Sequence, residues 1–505
     1  MIPIRKSLTI SSLLLLAATI FLKFSGLARD LTLAYFFGDS DQAGAYLLAF
    51  ILPNMFILFF TTGMKNSFVP TYIDSEKDGN SFFHFSQVAR LAAISGLVIS
   101  ILGIVGSMVA FPVLYPEFDD SLLQLTILVT SLFFVAVFFT ALNSVYEAYL
   151  DSQSKYSISV FSQTIVLLFS IGCGVLFARE IGVSAFAYGY VVGTIVSFMM
   201  KRIWFIPKKS HKLLGKLDRK ESKRFLWIFI PVAITVMVGQ VNLFIDSVFA
   251  SRFSPQAVTY LNYAKNLVHF PQAIIGVTIG TIIFPLLAKA VSAGRQTDFR
   301  TGVERGLTLT AFFMIPALAG MMWLMEELIT ILYERGAFSN EATQQTRITA
   351  YFYIGSVIFF TLQNTLNKAF YSRKKGHIIL RISLFSIALN VALNLLFIEW
   401  LGSYLAIPLA SSVMALVYFL LNLMVYRKME GVIHFKKLVI EWTKILLATA
   451  AMIGVLYGFN LLVDITNPWL KVSVHSGIGA IAFGASAYFL RIESIQLLVA
   501  KFRKR

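Results

Sequence analysis

Apolar runs long enough to cross a lipid bilayer recur from Ser7 almost to the end of this 505-residue chain. That recurrence decides what the chain can fold into. A helix needs roughly 20 apolar residues to span the hydrocarbon. No water completes the backbone hydrogen bonds there, so a spanning element is either a helix or a strand of a closed barrel. The runs lack the alternation of barrel strands. The fold class is therefore all-α and polytopic, with about 14 transmembrane helices. Composition agrees, because 57% hydrophobic and 14% charged residues leave too little polar surface for a soluble protein of this length.

The expected spans cover residues 7–37, 44–69, 85–115, 122–150, 157–178, 183–205, 225–250, 257–287, 302–333, 342–371, 378–399, 401–426, 438–463 and 469–502. An even number places both termini on one side. Loops on that side carry Arg373, Lys374, Lys375, Arg427, Lys428, Lys436 and Lys437, and the tail carries Lys501, Arg503, Lys504 and Arg505. The opposite loops carry Asp39, Asp41, Glu117, Asp119, Asp120 and Asp464. Positive charge marks the cytoplasmic face, so both termini are expected in the cytoplasm. The same pattern accounts for the net charge of +17 without nucleic acid as a partner. Cys173 stands alone, which leaves no disulfide, zinc spacing or redox pair. Arg5 and Lys6 precede an apolar run with no small-residue cleavage pattern, so that run reads as a retained first helix.

The polar stretch 201–224 holds ten Lys or Arg residues and divides the spans. The expected organisation is an N-terminal six-helix lobe (1–205), a basic cytoplasmic linker (206–224), a C-terminal six-helix lobe (225–430), and two additional helices with a basic tail (431–505). Both lobes start on the same side, as parallel transporter repeats do. A loose echo supports the repeat, with Asp30, Tyr46, Pro53 and Pro70 answered by Asp246, Tyr260, Pro271 and Pro285.

An ionised side chain at mid-membrane costs about 2.5–3.5 kcal/mol, so such residues normally face a bundle interior or water. Lys23, Arg29 and Asp30 lie on the first span. Gln240, Asn242 and Asp246 lie on the seventh, and Asn262, Lys265, Asn266 and His269 on the eighth. Lys265 and His269 are four residues apart and share a helix face, with Asn262 one turn earlier. A cationic, hydrogen-bonding stripe of this kind suits an anionic headgroup such as a pyrophosphate. The other reading is that these groups pair with one another and lock the bundle. Glu147, Glu326 and Glu327 lie near expected membrane surfaces, where solvation is the default. There is no phosphate-binding Gly-rich loop, no His-Glu-x-x-His and no nucleophile elbow, so neither catalytic residues nor a cofactor are expected.

Several blocks carry a family resemblance. They include Gly26-Leu27-Ala28-Arg29-Asp30 with Phe37-Gly38, Ala49-Phe50-Ile51-Leu52-Pro53-Asn54, and Ser67-Phe68-Val69-Pro70. Later blocks are Ile245-Asp246, Tyr263-Ala264, Phe284-Pro285-Leu286-Leu287, Glu334-Arg335-Gly336-Ala337-Phe338 and Ala369-Phe370-Tyr371-Ser372-Arg373. In these the chain resembles the MurJ/MviN lipid II flippases of the multidrug/oligosaccharidyl-lipid/polysaccharide exporter superfamily. The resemblance implies a two-lobed bundle in a bacterial cell membrane. It further implies alternating access and movement of an undecaprenyl-pyrophosphate-linked glycan, lipid II, from inner to outer leaflet, alongside other cell-wall synthesis proteins as partners. Lys23, Arg29, Asp30, Asn54, Asn262, Lys265, Asn266 and His269 become substrate-binding candidates. Asp246, Asn390 and Asn394 match positions that bind sodium in some members, so sodium or proton coupling is an expectation as well. The match is uneven. Phe56, Ile57 and Leu58 replace basic residues after Leu52-Pro53-Asn54, and Tyr263-Ala264-Lys265-Asn266-Leu267 stands where the family typically reads Tyr-Ala-Asp-Arg-Leu. Its cation is thus one position early, about 100° around the helix. A flippase for another lipid-linked polysaccharide unit is the near alternative. A membrane polymerase or glycosyltransferase is the distant one, and it would need a carboxylate constellation or a large external loop.

Overall fold

The structure, a computed structural model, describes residues 2–207, 215–430 and 435–496. Among the described residues there are helices and no strands. The first seven are α1 (Ile2–Phe37), α2 (Asp41–Lys77), α3 (Ser81–Leu114), α4 (Asp120–Ser152), α5 (Tyr156–Ile181), α6 (Ser184–Trp204) and α7 (Arg219–Ser251). There follow α8 (Pro255–Val268), a π turn (Gln272–Gly276), α9 (Val277–Ser292), α10 (Gln296–Trp323) and α11 (Met325–Leu332). The remainder are α12 (Asn340–Ser372), α13 (Gly376–Leu401), α14 (Ala406–Glu430), α15 (Phe435–Leu462) and α16 (Pro468–Phe489).

Among the described residues, eleven helices are long and apolar enough to cross a membrane. Every expected span falls on helix, and α1, α6 and α12, of 36, 21 and 33 residues, complete the series outside those eleven. Three expected spans are not single rods. The eighth breaks at the π turn, because Pro271 has no N–H to continue the ladder and the turn widens just after it. The ninth ends as α10 at Trp323 and restarts as α11, whose first turn presents Glu326 and Glu327 to the helix dipole. The fourteenth stops at Phe489, where Arg491 adopts a left-handed φ of 51°. The basic tail from Lys501 onward lies outside the described residues.

Local chemistry sets the helix starts. The side chains of Ser40, Asp119, Ser339 and Asn467 accept hydrogen bonds from the backbone N–H groups of Ala43, Leu122, Ala342 and Leu470, capping α2, α4, α12 and α16. The hydroxyl of Ser121 donates to Asp119 at 2.6 Å and holds that carboxyl below the usual carboxylate range.

The helices form two compact units. The first runs to Thr259 and takes in Gly336–Phe338; the second holds Tyr260–Arg335 and the chain from Ser339. Loop charge placed a division at 206–224, whereas the compact units part within α8, after Thr259, with α7 in the first. The reason is that α7 lies against α2: a Cβ on Gly63 would come within 2.9 Å of the Ala233 methyl, and Phe229 meets Phe59 edge to face at 5.0 Å. Within the first unit α2, α3 and α4 pack together, and α5 packs on α6. Gly189 and Gly193 bring that last pair to backbone contact, since a Cβ on Gly189 would lie 2.4 Å from the Phe169 carbonyl oxygen. The segment Gly336–Phe338 meets the end of α1, where the Ala337 N–H donates to the Tyr35 carbonyl at 2.9 Å. Two left-handed glycines permit this, Gly38 at φ 54° and Gly336 at φ 63°. The core of the second unit joins α9, α10, α12, α14, α15 and α16 through residues such as Phe299, Leu307, Leu366, Phe370 and Ile445.

Candidate functional site

Arg29 and Asp30 form a nearly buried ion pair on α1. Nε and Nη2 of Arg29 donate to Oδ1 of Asp30 at 3.2 and 2.9 Å, and each side chain is 15% exposed. Neighbours on a helix diverge by about 100°, so the long arginine must fold back to chelate its neighbour. The Phe50 ring of α2 supports it, with the guanidinium carbon 5.1 Å from the ring centroid. The buried Tyr46 and Tyr190 lie around the same group. Lys23 is exposed and Asn54 half-buried. Also in the first unit, Asp246 on α7 is buried at 4% exposure.

In the second unit the expected stripe on α8 is present, with its members partnered in distinct ways. Asn266 Nδ2 donates to Asn262 Oδ1 at 3.0 Å, and Lys265 Nζ stands 5.7 Å from the centroid of the Tyr353 ring. His269 continues the α8 turn, its N–H donating to the Lys265 carbonyl, while its Nδ1 shares a hydrogen bond with Gln272 Oε1 at 2.6 Å. The stripe therefore ends on the π turn, a departure from α-helix that commonly marks functional positions. Asn390 and Asn394 on α13 are fully buried, with Asn394 Nδ2 donating to Asn390 Oδ1 at 3.3 Å. A sodium ion takes oxygen ligands. Asn390 presents a buried Nδ2 without a hydrogen-bond partner, so as the amides stand the Asn394 Oδ1, rather than an Asn390 oxygen, is the group suited to a cation. Asp246 belongs to the first unit and the asparagines to the second, so neither unit by itself holds all three.

Of the carboxylates read as solvated, Glu326 keeps an exposed side chain at 46%, whereas Glu147 and Glu327 are largely covered. Glu147 is 3% exposed and ion-paired to Lys201, which is fully buried, at 2.9 Å. Its solvated placement was wrong because α5 and α6 cover the end of α4. Glu326 pairs with Arg347, and Glu327 with Lys471 at 2.5 Å. Lys201 and Glu147 are buried ionisable groups that the sequence reading missed. The available signal was Glu147 and Asp151 at i, i+4, followed by Ser159, Ser162 and Gln163. The second unit also carries an apolar groove of about 530 Å³ between α10, α15 and α16, lined by Phe312, Met452, Leu456, Gly479 and Phe483 among others.

The family described as lipid II flippase MurJ matches residues 33–476. This chain belongs to that family. A Vibrio cholerae relative named "Probable lipid II flippase MurJ" is 25% identical over 515 aligned positions, covering 96% of each chain. A solved structure of lipid II flippase MurJ in an inward closed conformation superposes with a TM-score of 0.81 at 22% identity, covering 95% of this chain and 99% of that one. An inward-facing MATE-family multidrug resistance transporter of the MOP superfamily superposes with a TM-score of 0.67 at 13% identity, covering 80% of this chain and 94% of its own. These likenesses show the all-helical fold. As a MurJ-family member the chain is a multi-pass membrane protein, and Arg29 and Asp30 stand just before the matched stretch.

Proposed function

We propose that this chain moves lipid II across the cytoplasmic membrane, from inner to outer leaflet, by alternating access. The family match over 33–476 carries the reading. Arg29 suits the charged part of the cargo. A guanidinium has five N–H donors in a rigid fork, and Asp30 engages two of them, which fixes the fork while leaving its geometry suited to phosphate oxygens. Lys265, with Asn262, Asn266 and His269, supplies the cation and hydrogen-bonding groups of the second unit. The apolar groove of the second unit suits part of the prenyl chain, because its lining offers hydrocarbon rather than donors. Both termini lie in the cytoplasm in this reading, and either sodium or a proton drives the cycle.

The test is rescue of growth in bacteria depleted of their own lipid II flippase, with membrane levels matched and translocated lipid II assayed. Wild type should rescue. Arg29→Ala should lower translocation about 10- to 100-fold, the equivalent of a charged hydrogen bond worth roughly 1.5–3 kcal/mol. Failure of well-expressed wild type would transfer the cargo to another lipid-linked polysaccharide unit, the reading favoured by Phe56, Ile57 and Leu58 where the family carries basic residues.

A further inference from the structure

The flippase reading leaves one buried cluster of the first unit without a task. Near the Ser152 end of α4, Glu147 and Asp151 share a face, and α2, α5 and α6 close over them with Lys65, Ser159, Ser162, Gln163 and Lys201. The two carboxylates are held very differently. Glu147 receives Lys201 Nζ at 2.9 Å and Ser162 Oγ at 3.3 Å on Oε1, and Gln163 Nε2 at 2.6 Å on Oε2. Lys201 also donates to Ser162 Oγ at 3.0 Å, so this half of the cluster is a closed clamp.

Asp151 has no such clamp. Its Oδ2 lies 3.4 Å from Lys65 Nζ, a loose ion pair, and its Oδ1 is buried with no hydrogen-bond partner. Ser159 Oγ, buried beside it on α5, offers a hydroxyl that acts on this carboxyl as a donor. A carboxylate buried at 9% exposure, held by one loose cation and one hydroxyl and lying one turn from a second carboxylate, is a costly charge. Protonation removes that charge, and the acid O–H can then be given to Ser159 Oγ. The carbonyl end of α4, with its negative partial charge, sits at the same place.

We propose that Asp151 is a proton-binding site and that Lys65 is the group its protonation releases. Water beyond the Ser152 end of α4 supplies the proton. The carboxylate becomes a carboxylic acid, its O–H bonds to Ser159 Oγ, and Lys65 stays an ammonium ion that has lost its counter-charge. The proton returns to water when Lys65 comes back. The other charged groups facing this site are Glu147 on α4 and Lys201 on α6, and they neutralise each other. Asp151 is thus the member of the cluster whose charge can change without breaking the clamp. Lys65 sits on α2, which also packs on α4 and α7, so its release loosens α2 at this end. This inference rests on the carrier reading, to which it adds the ion and its station.

The test uses the full-length chain in lipid, with two independent readouts. Difference infrared spectra on acidification should show a protonated-carboxyl band that Asp151→Asn removes and the exposed-site control Glu326→Gln keeps. Lys65→Met should move that band to higher pH, since loss of the cation eases protonation. A band unchanged in Asp151→Asn, or unmoved in Lys65→Met, would overturn the proposal. Proteoliposomes holding a pH dye and fluorescent lipid II supply the second readout. Wild type should move protons in step with lipid, and Asp151→Asn should lose the proton movement. Lipid flipping by wild type without proton movement sinks the proton site and spares the flippase. An Asp151 band with no flipping by wild type does the reverse.

Discussion

Two helix groups, α1 with α4 to α6 in the first unit and α10 with α12 to α14 in the second, handle buried polar groups differently. The first buries whole charges and pairs them, Arg29 with Asp30 and Lys201 with Glu147, the latter two at 0% and 3% exposure. Among α10, α12, α13 and α14 the second unit relies on amides and hydroxyls, with Asn390, Asn394 and Asn422 fully buried, and Thr310 of α10 meeting Thr365 of α12 at 3.0 Å. The difference is one of stakes. A buried ion pair balances a large desolvation penalty against a large attraction, so removing one partner exposes the full imbalance. An amide pair balances smaller quantities, and its loss is mild. Rigid paired charges suit a unit that must hold a fixed field, whereas amides tolerate rearrangement.

The sharpest way to break this contrast is to remove one half of the deepest pair. Lys201→Met leaves Glu147 buried with Ser162 and Gln163 but without its ion-pair partner, and the expected loss is about 3–5 kcal/mol. Lys201→Met with Glu147→Leu removes both charges and should recover most of that loss. Thermal unfolding of the detergent-solubilised variants decides it. If the single and double variants melt together, the pair is not what holds α4 against α6.

The amide side of the comparison predicts a smaller effect. Asn390→Leu takes the acceptor from Asn394 Nδ2, and the expected cost is about 0.5–1.5 kcal/mol. The double variant Asn390→Leu with Asn394→Leu should be closer to wild type than the single one, since both partners go together. A loss as large as that of Lys201→Met would mean that the asparagines carry a charge-like load, as a bound cation would give them.

These contrasts were only partly legible in the sequence. The length of the apolar runs and their lack of alternation announced the helices because the bilayer admits few alternatives. Arg29 with Asp30 was readable because adjacent charges in a long apolar run have nowhere else to go. Lys201 was not readable. It precedes Arg202 at a helix end, where basic residues ordinarily reach water, and its partner lies 54 positions away. The packing of α7 on α2 was hidden for a related reason, because Gly63 and Ala233 form a contact of shape, without charge or period to announce it. The π turn had a trace in Pro271, but a proline alone does not distinguish a bend from a widened turn.

The smallest expected effect concerns the cation that stands one position away from the family's. Lys265 lies over the Tyr353 ring, and Asn266 is already bonded to Asn262. Exchanging them as Lys265→Asn with Asn266→Arg moves the charge about 100° around α8 and breaks both contacts. If the charge acts from where it stands, the exchange should slow lipid II flipping in proteoliposomes about two- to five-fold, the equivalent of an exposed cation–π contact of roughly 0.5–1 kcal/mol. Lys265→Arg, which keeps the charge over Tyr353, should stay near wild type. Faster flipping after the exchange would reverse the reading, because the family's arrangement would then be the working one and the local partners of Lys265 merely its resting place.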